Sequence, residues 1–448
     1  MQGSNPHLVR GVGLWGAIST NVLNMVGIGP FLTIPIALAA MGGPQAILGW
    51  ILGALVSICD GMVWAELGSA MPVSGGPYHY LLEAFGNRSF GRLISFIFLW
   101  QALIVGPVSA ASGAVGFAEY ARYLVPGLSH WQLIALAAAV CLINTFLVYR
   151  DIRSIGVMSG IVTVIVIGTT LWIILAGVTH FHAALAFSFP ANAFHMSHQF
   201  FVGLGSATLI ALYDYGGYYN VCLIGEEVRN PQKTIPRSII LSIVCVAFIY
   251  LTMNISIIGV LPWRHAMHSQ AIVAEFMEHI YGPFGGKAVS GLILIASFAS
   301  VFAILLGYSR VPYTAAVDGR FFSSFAKLHP KGNFPYVSVL AMGLLAAIAC
   351  VLSLTELITV LIIIQTMVQF IGQCIAVMIL RKRNGGRSTS YKMPLYPIPA
   401  LIALCGWTYI VVISDVKYIA LGFLLIATGT GAYMIRAYRS SEWPFGVA

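Results

Sequence analysis

Asn24-Met25-Val26-Gly27-Ile28-Gly29-Pro30-Phe31 sits inside one long apolar run of the chain, and Tyr213-Asp214-Tyr215-Gly216-Gly217-Tyr218-Tyr219-Asn220 sits inside another. A membrane-crossing helix needs about 20 apolar residues, and both runs are long enough. Each also carries what a helix interior excludes. Pro30 removes a backbone donor, and Gly27 and Gly29 relax the chain around it. In the second run an acid stands beside a double glycine. Both helices are therefore predicted to break at mid-depth. Unwound backbone inside a membrane persists only where protein or a watery cavity satisfies its polar groups, so two breaks imply one shared cavity.

The rest of the chain agrees with a membrane setting. Its 448 residues are 59% hydrophobic and 8% charged, against about 25% charged in soluble proteins, which excludes an ordinary globule. The formal net charge is +9, but the basic residues are scattered between apolar runs and form no patch, so nucleic acid is not an expected partner. The seven cysteines fall singly, without CxxC spacing, and read as small apolar packing residues. The first apolar segment carries no small-residue cleavage site and reads as a membrane helix, not a removable signal.

Twelve such segments emerge, at about 12–40, 45–70, 92–118, 131–149, 155–178, 197–227, 237–261, 284–314, 335–353, 356–380, 394–414 and 417–437. With the N-terminus in the cytoplasm, most loop arginines and lysines, from Arg88 and Arg150 to Arg436, fall inside, and only Arg122, Arg264, Lys287 and Lys417 fall outside. That asymmetry places both termini in the cytoplasm. The broken spans 1 and 6 then open two five-helix sets, the inverted-repeat pattern of secondary transporters. The expected architecture is all-α integral membrane. A transport core occupies 1–392, with repeat one at about 11–178 and repeat two at about 197–380, and 393–448 adds two accessory helices and a tail.

Half-helix ends supply the chemistry. Exposed N–H groups and the positive dipole end at Ile28 to Phe31 and at Gly217 to Tyr219 attract a carboxylate. The facing carbonyls near Met25, Val26, Tyr213 and Asp214 accept from an ammonium. The binding set is thus Met25, Val26, Gly27, Ile28, Gly29, Tyr213, Asp214, Gly216 and Gly217, and its ligand a small zwitterion. Acids inside a membrane are expensive and functional by default. Asp214, beside the break, and Asp60 in span 2 are candidates for gating or proton coupling. Glu66, Glu226 and Glu227 near Arg150, Arg153, Arg229, Lys233 and Arg237 are candidates for inner-gate ion pairs. The histidines of the outer loops match no zinc template, and no metal or cofactor is expected.

Three motifs in order, Gly27-Ile28-Gly29, the run from Ala65-Glu66-Leu67-Gly68 to Gly75-Gly76-Pro77-Tyr78, and Tyr215-Gly216-Gly217 followed by Gly225-Glu226-Glu227 and Asn230-Pro231, resemble the amino acid–polyamine–organocation (APC) superfamily of permeases. The resemblance spans essentially the whole chain. It implies the five-plus-five inverted repeat with two extra helices, alternating access, and amino acids or amines as substrates. The span 6 string with Glu226-Glu227 resembles L-type amino acid transporters. Gly29-Pro30-Phe31 and Tyr149-Arg150-Asp151-Ile152-Arg153-Ser154-Ile155-Gly156 resemble a polyamine uptake branch. Ile28 replaces the serine usual between the two glycines, and Tyr219 replaces an acid typical of the polyamine branch. By the same resemblance Tyr213 would be an outer lid. Paired hydroxyls for sodium on span 8 are reduced to Ser297 within Ala296-Ser297-Phe298-Ala299-Ser300, and the lysine that replaces sodium in span 5 of some relatives aligns with Val162 or Thr163. The expectation is a sodium-independent amino acid permease of a bacterial inner membrane, proton-coupled or exchanging, in contact with lipid, with polyamine or other organic cation uptake as the alternative. Enzyme constellations, repeated filter loops and a sizeable soluble domain are all missing from the sequence, which disfavours an enzyme, a channel or a receptor.

Overall fold

The structure, a computed structural model, describes residues 10–73, 75–86, 89–150, 155–330, 334–383 and 391–446, with the side chains of 150–163 excepted. It is built of helices: α1 Leu14–Met25, α2 Pro30–Met41, α3 Ile47–Ala70, α4 Gly76–Phe85, α5 Phe90–Leu124, α6 His130–Arg150, α7 Ile155–Thr179, α8 Ala183–Ala186, α9 His198–Tyr215, α10 Asn220–Leu223, α11 Pro231–Ile258, α12 Trp263–Ala266, α13 Ile272–Val317, α14 Tyr336–Ala349, α15 Leu354–Gln365, α16 Ile371–Arg383, α17 Ile398–Ile413 and α18 Val416–Ser440. A helix occupies each of the twelve expected windows. Among the described residues, seven helices are long and apolar enough to cross a membrane, or eight when the bent pair α1 and α2 counts as one span. Val164–Thr179, α14 and α17 are shorter apolar helices.

Local chemistry sets the boundaries. Pro30 and Pro231 open α2 and α11 at the first helical position, where a missing N–H is harmless. Ser353 and Glu356 form a reciprocal capping box at the start of α15. Large apolar side chains, among them Leu171, Phe248, Val412 and Phe423, remain exposed on the outside of the bundle.

Corresponding spans of the two five-helix sets pack on one another. The halves of span 1 touch those of span 6 (α1 on α10, α2 on α9), α3 packs on α11, α5 on α13 and α6 on α14. Small residues allow the close approach: a Cβ at Gly49 of α3 would fall 2.6 Å from the Ala207 Cβ of α9, and one at Gly343 of α14 would fall 1.9 Å from Thr145 Oγ1 of α6. The accessory helices close the bundle, α17 against α3 and α9, and α18 against α5 and α15. Span 10 has a feature the sequence reading did not anticipate. A π turn, Thr366–Phe370, joins α15 to α16, a type of irregularity that recurs at functional positions.

Candidate functional site: two facing helix breaks

The first break falls where Gly27, Gly29 and Pro30 predict it. α1 ends at Met25, α2 starts at Pro30, and their axes meet at 53°. Gly27 N–H folds back on the Met25 carbonyl at 2.9 Å. Among the described residues the N–H groups of Ile28 and Gly29 have no backbone partner, and the Val26 carbonyl has no donor. The second break follows Tyr215. Gly216 leaves the helix with ψ 143° and Gly217 takes φ +113°, a left-handed conformation that favours glycine. A Cβ on Gly217 would lie 3.0 Å from the Asn24 carbonyl carbon, so the two unwound stretches are in contact. The Asn21 side chain accepts from Val221 N–H at 3.1 Å and fixes their register. The two breaks that carry the predicted binding set therefore lie against each other.

Their individual roles differ from the expectation in two respects. Of the four carbonyls assigned to an ammonium, three already have donors. Tyr250 of α11 donates its hydroxyl to the Met25 carbonyl at 2.6 Å and reaches the Asp214 carbonyl at 3.3 Å, and Gly216 N–H serves the Tyr213 carbonyl at 3.2 Å. Tyr250 is fully buried, held edge-on by Trp50. The second difference is the direction of Asp214. Its Oδ2 accepts from Thr33 Oγ1 at 2.5 Å, and its Oδ1 lies beside Gly29 without a hydrogen-bond partner, so its carboxylate packs along the side of the first turn of α2 and not at the carbonyl end of the break. Tyr213 lies half-buried over the same spot, its hydroxyl 2.9 Å from Ser112 Oγ of α5.

Asp60 is separate from this centre but wired to it. It is fully buried on α3, accepts from Tyr218 Oη at 2.5 Å on Oδ2, and accepts from the Trp407 indole at 3.1 Å on Oδ1. Cys374 adds a thiol contact at 3.6 Å. Around it, Trp64 stacks on Tyr219 with centroids 4.8 Å apart, and Phe370 of the π turn stacks on Trp407 at 4.0 Å.

The predicted inner-gate pairs are rearranged. Among the described residues Glu66 pairs with Arg381 of α16: Nε reaches Oε1 at 2.5 Å and Nη2 reaches Oε2 at 2.6 Å, and Met393 N–H donates to Oε2 at 2.8 Å. Arg383 and Glu83 form a second ion pair alongside. Glu226 is exposed and Glu227 half-buried, and neither makes an ion pair among the described residues. Instead, the Glu227 carbonyl accepts from Val12 N–H and Arg229 N–H donates to the Val12 carbonyl, which ties the segment before α1 to the segment after α10. Arg153 and the side chains of Arg150, Val162 and Thr163 lie outside the described residues. Sequence reasoning missed Thr33, Ser112, Tyr250, Arg381 and Trp407, none of which lies in a recognisable local motif.

Two facing breaks in a bundle of corresponding spans match one family over nearly the whole chain: the amino acid permease profile fits residues 12–435. The chain belongs to the amino acid permease family. Relatives of this permease include a serine/threonine exchanger, SteT, of Bacillus subtilis, 26% identical over 445 residues that cover 95% of this chain and 96% of the relative. A branched-chain amino acid permease, BcaP, of the same organism is 25% identical, with 89% and 87% covered. The human Asc-type amino acid transporter 1 is 26% identical, with 97% and 84% covered.

Proposed function

We infer that this permease moves amino acids across a cell membrane by alternating access, independently of sodium, with both termini in the cytoplasm. The observation that carries the reading is the pairing of opposite unpaired poles in one buried place. The Ile28 and Gly29 N–H groups open a helix, and the Val26 carbonyl closes another. A zwitterion's carboxylate fits the first and its ammonium the second. The packing of spans 1 to 4 on spans 6 to 9 supports two related halves that rock about this centre. Amino acids as cargo are supported by the names of the three relatives. Sodium independence is supported by Ser297: its hydroxyl donates to the Gly113 carbonyl at 2.7 Å and is already engaged in packing α13 on α5. A hard cation wants several free oxygens. The coupling partner is then a proton or a counter-substrate.

Counterflow in proteoliposomes without sodium tests the cargo. Neutral amino acids are expected to accumulate against an internal load of the same kind, while putrescine and spermidine do not. Uptake of polyamines alone would overturn the reading and move recognition to Asp214 and the tyrosines.

The Tyr250 hydroxyl yields a second expected result. Tyr250→Phe leaves the Met25 carbonyl with the Gly27 N–H alone and the buried Asp214 carbonyl without a donor among the described residues, a loss of roughly 1–3 kcal/mol. The empty variant is therefore expected to melt below the parent, and the substrate to raise its melting temperature more than it raises the parent's, because an ammonium restores the missing donor. Equal substrate-induced shifts would show that the ammonium does not reach this end of the break.

A further inference from the structure

A second cavity, of about 350 Å³ and apart from the helix breaks, lies where α4 meets the start of α5 and the ends of α13 and α18. Arg92, Arg320, Arg436, Asp318, Glu442 and Tyr78 line it. Its charges do not cancel. Arg92 reaches Glu442 at 3.6 Å and Arg436 reaches the same carboxylate at 2.9 Å, so one acid serves two cations. Arg320 and Asp318 make no ion pair among the described residues, and Asp318 is exposed, where water screens it. Three guanidiniums against two carboxylates leave one positive charge unmatched. Beside it stands an orphaned donor: Tyr78 is 6% exposed, and its hydroxyl is buried without a hydrogen-bond partner. The Arg320 guanidinium lies over the Tyr78 ring, 5.3 Å from its centroid, and Ser95 Oγ holds the Tyr78 carbonyl at 3.2 Å. A buried hydroxyl with no partner is costly, and a hydroxyl next to an unpaired guanidinium is a pair of donors for a phosphate oxygen. Much of the remaining wall is apolar, formed by Leu82, Phe96 and Leu99. The same helix ends expose Phe90, Val317 and Tyr438 on the outside of the bundle.

We propose that this cavity is a binding site for an anionic phospholipid, whose phosphodiester docks on Arg320 and the Tyr78 hydroxyl and whose acyl chain lies along Leu82, Phe96 and Leu99. The single net charge of such a lipid matches the single unmatched arginine. A zwitterionic lipid brings an ammonium into a cavity that already has cations in excess, and inorganic phosphate leaves the apolar wall wet. With both termini in the cytoplasm, as inferred above, this end of the bundle faces the inner leaflet, where basic pockets between helices take lipid headgroups. The bound lipid braces α4 against α5, α13 and α18.

The test uses the purified, delipidated full-length protein in detergent, with dioleoyl phosphatidylglycerol, dioleoyl phosphatidylethanolamine and inorganic phosphate as probes, read by melting temperature and by native mass spectrometry. Phosphatidylglycerol is expected to raise the melting temperature and to stay bound in the gas phase, phosphatidylethanolamine to do both much less, and millimolar phosphate to do neither. Arg320→Gln is expected to weaken phosphatidylglycerol binding about tenfold, the size of one lost charge-assisted bond. Tyr78→Phe is expected to melt no lower than the parent when lipid-free, because it removes an orphaned hydroxyl, and to gain less from phosphatidylglycerol. Equal effects of the two lipids would overturn the proposal, since the unmatched charge would then select nothing. Phosphate protecting as well as phosphatidylglycerol would overturn it in favour of a soluble anion. An unchanged lipid preference in Arg320→Gln would place the lipid elsewhere, and should that variant fail to fold, the parent's lipid series and Tyr78→Phe decide. None of these readings uses transport or orientation, so their failure leaves the amino acid reading standing.

Discussion

Gly29→Ala is expected to reduce transport by on the order of a hundredfold while the protein still inserts and folds, because misplacing a reacting or binding group by about 1 Å carries penalties of that size. The backbone at Gly29 is an ordinary right-handed helical one, φ −44° and ψ −59°, so alanine meets no conformational strain there. What it meets is the site. The new methyl would lie 2.1 Å from Asp214 Oδ1 and 3.1 Å from Tyr213 Cε1. Asp214 has to leave Thr33, and the space over the α2 amides is filled by carbon. Two residues earlier, a Cβ on Gly27 meets nothing within 4 Å. Gly27→Ala is accordingly expected to transport within a few-fold of the parent. Initial uptake rates in vesicles, normalised to protein in the membrane, decide the matter, and equal activity of the two variants would remove Gly29 and Asp214 from the transport centre.

Cutting the Glu66–Arg381 pair carries the second large effect, and it falls on stability. Arg381 grips both oxygens of a carboxylate that is 6% exposed, donates to the Met393 carbonyl at 3.2 Å, and lies 4.1 Å over the Tyr396 ring. Removing one partner of a buried pair strands the other, at a cost of about 3–5 kcal/mol, whereas replacing both with neutral groups is often close to neutral. Arg381→Met is therefore expected to lower the melting temperature in detergent sharply, and Glu66→Gln combined with Arg381→Met to recover most of the loss. A double variant as unstable as the single one would show that the guanidinium's contacts to Met393 and Tyr396, which tie α16 to the segment before α17, and not the ion pair to α3, carry the stability.

The breaks in spans 1 and 6 were legible because they are written locally. Proline and paired glycine act on their own backbone, and no partner is needed to read them. Span positions were legible for the same reason, since an apolar run declares itself. Partners are another matter. Arg381 lies far from Glu66 in the chain and closer basic residues competed for the assignment, so only the packing of α16 on α3 decides the pairing. Tyr250 gave no signal, since a tyrosine within an apolar helix reads as packing until a neighbouring carbonyl is seen under its hydroxyl. Asp214 was picked out by its depth, but where its carboxylate points depends on backbone directions at the end of α9, which residue types do not encode.

The indole of Trp407 belongs to a helix outside the two five-helix sets, yet it shares the Asp60 carboxylate with Tyr218 of the second break. A ten-span chain ended near residue 392 would leave that buried carboxylate short a donor and take the stacked ring away from Phe370. The appended helix is thus part of the machine's frame. Because the rest of α17 leaves residues such as Ile398, Leu401 and Val412 exposed on the outside of the bundle, the helix that braces Asp60 from within also forms part of the outer apolar surface.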